Sequence, residues 1–123
     1  ILILDEPTAG LDPRGRDEIL GQVAELHRKH NLTTILVSHS MEDIAKLVDR
    51  IIVMNKGKIA LDGTPEEVFR HAQKLSEMGL AVPNITRLVK KLRDYGMDLP
   101  EDVFTVERAK EVILRVLRGD SNA

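Results

Sequence analysis

The 123-residue sequence contains no cysteine. Disulfides, zinc–thiolate centres and thiol catalysis are therefore excluded for these residues. Tryptophan is absent too, and the aromatic residues are Phe69, Phe104 and Tyr95. A core with so few rings must rest on Leu, Ile and Val, and it offers no platform for stacking single-stranded bases. Neither sign of charge dominates: 18 basic residues stand against 20 acidic ones, a formal net charge of −2. The basic footprint that grips a phosphate backbone is missing, so no nucleic-acid partner is expected. No apolar run approaches the ~20 residues of a membrane span. The opening Ile1-Leu2-Ile3-Leu4 has no basic leader before it. A start without Met, inside an apolar strand pattern, points to a piece of a longer chain.

What is present reads as an α/β protein. Hydrophobic residues make up 42% and charged residues 31% of the chain, enough of both for a packed, solvated domain. Ile1 to Leu4 and Thr33 to Val37 are short apolar runs, read as strands buried on both faces. Between them Asp12 and Pro13 supply an N-cap and a first helical residue, and Ile19, Leu20, Val23 and Leu26 recur at helical spacing until Asn31. Ser40 with Asp43 has the form of a capping box ahead of Ile44, Leu47 and Val48. Arg50 to Met54 and Lys58 to Leu61 form a hairpin around Asn55-Lys56-Gly57. Thr64-Pro65-Glu66-Glu67 opens the next helix. The order β-α-β-α-β-β-α predicts a mostly parallel sheet with an antiparallel hairpin at its edge. Beyond residue 76, Gly79, Pro83, Gly96 and Pro100 divide the chain into two amphipathic helices, about 84–95 and 105–118. Lys90, Lys91 and Arg93 read as the wet face of the first of these.

The chemistry concentrates where the first strand ends. Ile1-Leu2-Ile3-Leu4-Asp5-Glu6 places two adjacent carboxylates at the C-terminal edge of a parallel strand, the edge at which open α/β sheets bind ligands. On its own this run fits acids capping the following turn equally well. His39, just past the second strand, is on its own more simply a satisfied surface residue. His27, His30 and His71 fall on predicted helices and receive no role.

The longer context changes the balance. The unbroken run Leu4-Asp5-Glu6-Pro7-Thr8-Ala9-Gly10-Leu11-Asp12 resembles the Walker B segment and D-loop of ABC-type ATPases, and Ile35-Leu36-Val37-Ser38-His39 resembles their strand into the H-loop. One amphipathic helix separates the two, as in the family. Gly57-Lys58-Ile59 and Gly63-Thr64-Pro65-Glu66-Glu67-Val68-Phe69 are similar to the segment that closes the nucleotide-binding domain of transport ATPases. This resemblance covers residues 1 to about 72. By it, Asp5 matches the Walker B aspartate that holds Mg²⁺ through water, and Glu6 matches the catalytic glutamate. His39 matches the switch histidine at the γ-phosphate, and Asp12 matches the D-loop aspartate near a partner's nucleotide. Ala9-Gly10 departs from the Ser-Ala of many members.

The fold implied is a P-loop-type (ABC) nucleotide hydrolase half-domain, residues 1–75, with a small helical C-terminal extension, residues 76–123. Met78-Gly79-Leu80-Ala81-Val82-Pro83, Leu88, Leu92, Gly96, Leu99-Pro100 and Thr105-Val106-Glu107 resemble the C-terminal extension of energy-coupling factor (cobalt- and vitamin-type) importer ATPases. In that group the extension holds two ATPase subunits together, so the two apolar stripes are expected to form a dimer contact. Two helices packing on their own domain is the other reading. The resemblance implies ATP and Mg²⁺ as cofactors. It implies a second ATPase subunit and transmembrane transporter subunits as partners, at the cytoplasmic face of the membrane. No Gly-x-x-x-x-Gly-Lys-Ser/Thr phosphate loop and no Leu-Ser-Gly-Gly-Gln-like signature occurs in the chain. The parent is thus expected to hydrolyse ATP and this chain alone to be inactive. A non-transport ABC ATPase, of the translation-factor or DNA-repair and chromosome type, is the alternative, as is a non-catalytic dimerisation fragment.

Overall fold

The computed structural model describes residues 1–119; the last four positions of the segment assigned to residues 76–123 lie outside the described residues. The chain packs as two compact units, Ile1–Leu47 and Val48–Ala123.

In the first unit, strand β1 (Leu2–Asp5) pairs in parallel with β2 (Thr34–Val37), with Leu2 opposite Thr34 and Asp5 opposite Val37. Helix α1 (Pro13–His30) makes the crossover between them. It starts where the sequence predicts: the Asp12 carboxylate accepts from the Gly15 N–H at 2.8 Å, and Pro13 occupies the first turn. A Cβ at position 15 would sit 2.9 Å from that carboxylate oxygen, so glycine lets the cap close. The helix stops at Asn31, which is left-handed at φ 47°, ψ 40°. His27, Arg28, Lys29 and His30 fill its last turn, where the helix dipole favours positive charge. Helix α2 (Met41–Leu47) follows β2. Leu20 of α1 and Ile44 of α2 are the buried apolar residues here, while Leu26 is exposed.

The strands of this unit are not covered on both faces. Leu2, Leu4, Thr34 and Leu36 are half-buried, but Ile3 is 65%, Ile35 48% and Val37 50% exposed. Period-2 alternation sends these side chains to the other side of the sheet. Helices within residues 1–47 shield one face only, so the expectation of full burial fails there.

In the second unit, β3 (Ile51–Asn55) and β4 (Lys58–Gly63) form the predicted antiparallel hairpin. Its two-residue turn, Lys56-Gly57, has φ of 50° and 75°, the doubly left-handed turn that matches strand twist. A bulge shifts the register between Val53 and Met54, so that Met54 faces Ile59 and Val53 faces Leu61. The carbonyl of the intervening Ala60 accepts from Lys74 Nζ at 3.2 Å. Helix α3 (Pro65–Phe69) carries a complete capping box: Thr64 Oγ1 accepts from the Glu67 N–H and the Glu67 carboxylate accepts from the Thr64 N–H. Helix α4 (Ala72–Glu77) follows it, with Leu75 wholly buried.

Helices α5 (Asn84–Asp94) and α6 (Val106–Leu117) complete the unit, and Thr105 caps α6 as expected. Their apolar stripes close on each other. Val89, Leu99, Val103, Ala109 and Val112 form a buried cluster, with Ile85, Leu92, Met97, Ile113 and Val116 packed against it. The stripe is therefore largely satisfied within the chain, which leaves Leu88, Tyr95, Val106, Leu114 and Leu117 as the exposed large residues of these helices and their ends. Phe69 and Phe104 meet with ring centroids 5.3 Å apart and planes tilted by 52°, tying α3 to the segment ahead of α6. Lys90 and Lys91 are exposed, and Arg93 pairs with Glu101 at 2.8 Å. Among the described residues, no helix is long and apolar enough to cross a membrane.

Candidate functional site

Parallel pairing of β1 with β2 brings their two C-terminal ends side by side, and the chain leaves each strand carrying an ionisable group. Asp5 is the last residue of β1 and is exposed. Glu6 keeps the ladder for one more bond, donating its N–H to the Val37 carbonyl at 2.8 Å. It then turns left-handed, at φ 48°. For a residue with a Cβ this conformation costs about 1–2 kcal/mol, and it swings the Glu6 carboxylate out of the strand's alternation. The loop continues through two tight turns, Ala9 N–H to the Glu6 carbonyl at 3.1 Å and Leu11 N–H to the Thr8 carbonyl at 3.2 Å. Gly10, at φ 74°, takes the second left-handed step without strain.

Across from this loop, His39 follows β2 directly. Its Nδ1 lies 2.8 Å from Glu6 Oε1. A carboxylate accepts and cannot donate, so Nδ1 carries the hydrogen in this contact and Nε2 is left for another partner. The His39 side chain is 82% exposed and that of Glu6 34%, so the pair adds little stability and is easily opened. Two residues named from sequence for catalysis are thus within one hydrogen bond of each other. Asp5 is the neighbour of Glu6 in the chain. Asp12 has its Oδ1 committed to capping α1.

A second contact between the same two segments, which the sequence did not announce, is buried. Thr8 Oγ1 donates to Asp43 Oδ2 at 2.9 Å, and both residues are 3% exposed. Arg16 Nε approaches the same oxygen at 3.9 Å. Thr8 was legible only as part of the loop motif, and Asp43 only as a capping residue.

Among the described residues, no group of three or more His, Asp or Glu side chains could hold a metal ion unaided. Asp5, with Glu6 beside it, is a donor set suited to Mg²⁺, which takes one or two protein carboxylates and completes its shell with water and phosphate oxygens.

Comparison with known proteins decides the family. Over 122 residues, 99% of its length, the chain is 62% identical to the energy-coupling factor transporter ATP-binding protein EcfA2 of Caldanaerobacter subterraneus subsp. tengcongensis, covering 43% of that protein. The chain belongs to the energy-coupling factor ATP-binding proteins. The EcfA2 of Clostridium perfringens is 52% identical over 98% of the chain, which covers 42% of it. The EcfA1 of Caldanaerobacter subterraneus is 46% identical over 93% of the chain, which covers 41% of it. The chain thus spans about two-fifths of the length of the curated relatives it matches. No family model matches it. Among solved structures, cbiO1 from Clostridium perfringens, described as part of the ABC transporter complex cbiONQ, superposes with a TM-score of 0.53 at 37% identity. That match covers 72% of this chain and 36% of cbiO1. The fold is accordingly the α/β fold of an ABC ATPase half-domain.

Proposed function

We propose that the protein carrying this chain is the ATP-binding and ATP-hydrolysing subunit of an energy-coupling-factor-type importer. The observation that carries this reading is the 62% identity to an EcfA2 over nearly the whole chain. The relatives' names favour transport over a translation or DNA-repair ATPase. In this reading Glu6 accepts a hydrogen bond from the attacking water and orients it. His39 donates through Nδ1 to Glu6, which fixes the carboxylate's direction, and keeps Nε2 for a phosphate oxygen. Asp5 would hold Mg²⁺ through water, and Asp12, which ends the loop and caps α1, serves the dimer. Bound Mg²⁺ and ATP would supply the electrophilic phosphorus and neutralise its developing charge. The partners are a second ATPase subunit and transmembrane subunits, at the cytoplasmic membrane face. We assign residues 76–123 as the helical extension that follows residues 1–75 in sequence, and any subunit contact through its described part falls to Leu88, Tyr95, Val106, Leu114 and Leu117.

Glu6→Gln in the intact protein tests the reading: ATP turnover should fall by at least ~10²-fold while nucleotide binding persists. Turnover within a few-fold of wild type would remove Glu6 from the chemistry. Asp5→Asn should depress Mg²⁺-dependent turnover more than Mg²⁺-free nucleotide binding. The 123-residue chain, which has no phosphate loop, should show no calorimetric ATP affinity at millimolar nucleotide.

A further inference from the structure

Two contacts join the loop after β1 to the segment after β2. One is the exposed Glu6–His39 contact at 2.8 Å. The other is the buried Thr8–Asp43 hydrogen bond at 2.9 Å, two residues further along the first segment and four along the second. The second contact has an unusual origin. Ser40 and Asp43 have capping-box spacing, and half of the box is made: the Asp43 N–H donates to Ser40 Oγ at 3.4 Å. In a full box the Asp43 carboxylate would return to the Ser40 N–H. That N–H instead donates to Ser38 Oγ at 3.0 Å. The Asp43 carboxylate is released from its local task and reaches Thr8, 35 positions away in sequence.

Placing a carboxylate at a 3% exposed position is unfavourable unless it is well held. Here it receives one hydroxyl hydrogen bond and the looser approach of Arg16, whose own Nε is buried without a hydrogen bond. An apolar residue would fill the same space with less penalty. The arrangement is better suited to fixing a register than to adding stability. Ser38 and Ser40 flank His39, and Thr8 lies two residues past Glu6. The buried contact therefore fixes the base of both segments, and the exposed contact can open and close above it.

We propose that Asp43, acting through Thr8, is a positioning residue that holds His39 in hydrogen-bonding register with Glu6. This rests on the reading of Glu6 and His39 as the hydrolytic pair. Two measurements on the intact protein test it. In the nucleotide-free state, at a pH where the ring is neutral, the ¹⁵N shifts of His39 should report an Nδ1–H tautomer in wild type. Thr8→Val keeps the shape and removes the donor, and it should move the tautomer ratio to that of a free histidine peptide. Thr8→Ser restores the hydroxyl and should restore the wild-type ratio. In turnover, Thr8→Val should lower kcat by about tenfold or more with KM for ATP within about twofold, and Thr8→Ser should recover both.

A Thr8→Val protein with a lower melting temperature but wild-type tautomer and kcat would overturn the proposal and leave the pair a packing feature. Should Thr8→Val fail to fold, Asp43→Asn and Thr8→Ser decide. Each keeps a hydroxyl opposite an acceptor oxygen, so both should retain the Nδ1–H tautomer, and loss of it in both overturns the proposal. If Glu6→Gln proves fully active while Thr8→Val still shifts the tautomer, the hydrolytic reading falls and the positioning stands.

Discussion

In residues 48–119, Leu75, Val103 and Val112 are wholly buried, and the buried set is apolar. In residues 1–47 the buried set mixes Leu20 and Ile44 with Thr8 and Asp43, and Ile3, Ile35 and Val37 face outward. The second unit closes a core around Val53, Val68, Leu75, Val103 and Val112, although its hairpin also turns Ile52, Met54 and Ile59 outward. The first unit spends its interior on a polar contact and leaves a sheet face bare. The residues with chemical potential, Asp5, Glu6 and His39, all lie in the open unit. A closed apolar core gives rigidity and little else, whereas the strand ends of the open unit present ionisable groups to solvent.

The contrast can be broken most severely at Phe69. Phe69→Ala removes a 2% exposed ring and its contact with Phe104, and should destabilise residues 48–119 by about 3–5 kcal/mol in urea denaturation. A loss under ~1 kcal/mol would mean that this core is looser than its burial implies. Next comes Thr8→Val, which deprives buried Asp43 of its donor and should lower stability by about 1–3 kcal/mol. A neutral result would show that water reaches the carboxylate. Ile35→Thr, on the bare face, should change stability by no more than ~0.5 kcal/mol in this chain. A large loss there would show that the face is covered.

The smallest effect is expected from pH on the hairpin. Arg50 donates two hydrogen bonds to Asp62, at 2.8 and 2.7 Å, and these hold the Asp62 carboxyl below its ordinary range. Its folded pKa lies below the unfolded one, so the pair's contribution is present above the usual carboxylate range and disappears as pH falls through the lowered value. Both groups are solvent-exposed, which keeps the contribution small. Arg50→Ala should flatten this part of the acid limb of the stability curve, and an unchanged limb would assign it to other carboxylates.

Local signals were readable in the sequence where one residue does one job. Asp12, Thr64 and Thr105 cap the helices that they precede, and Lys56-Gly57 turns the hairpin. Legibility failed where a residue's partner is remote. Ser40-x-x-Asp43 has the pattern of a capping box, and nothing within four residues shows that Asp43 is diverted to Thr8. The stripes of α5 and α6 carry the same pattern whether they meet each other or a partner, and proximity in the chain lets them meet. At the site, the Asp5–Glu6 pair and His39 were visible as types at a strand end. The left-handed turn at Glu6 was not, because glutamate gives no hint of that conformation.

That turn sets two kinds of selection against each other. A left-handed backbone favours glycine over any residue with a side chain, so variants screened for heat resistance alone are drawn toward Glu6→Gly. Such a variant would relax the loop while discarding the carboxylate opposite His39. Sequence libraries of the intact protein sorted by melting temperature and by turnover should therefore diverge at position 6, the fitter folder being the inert one under the role proposed for Glu6.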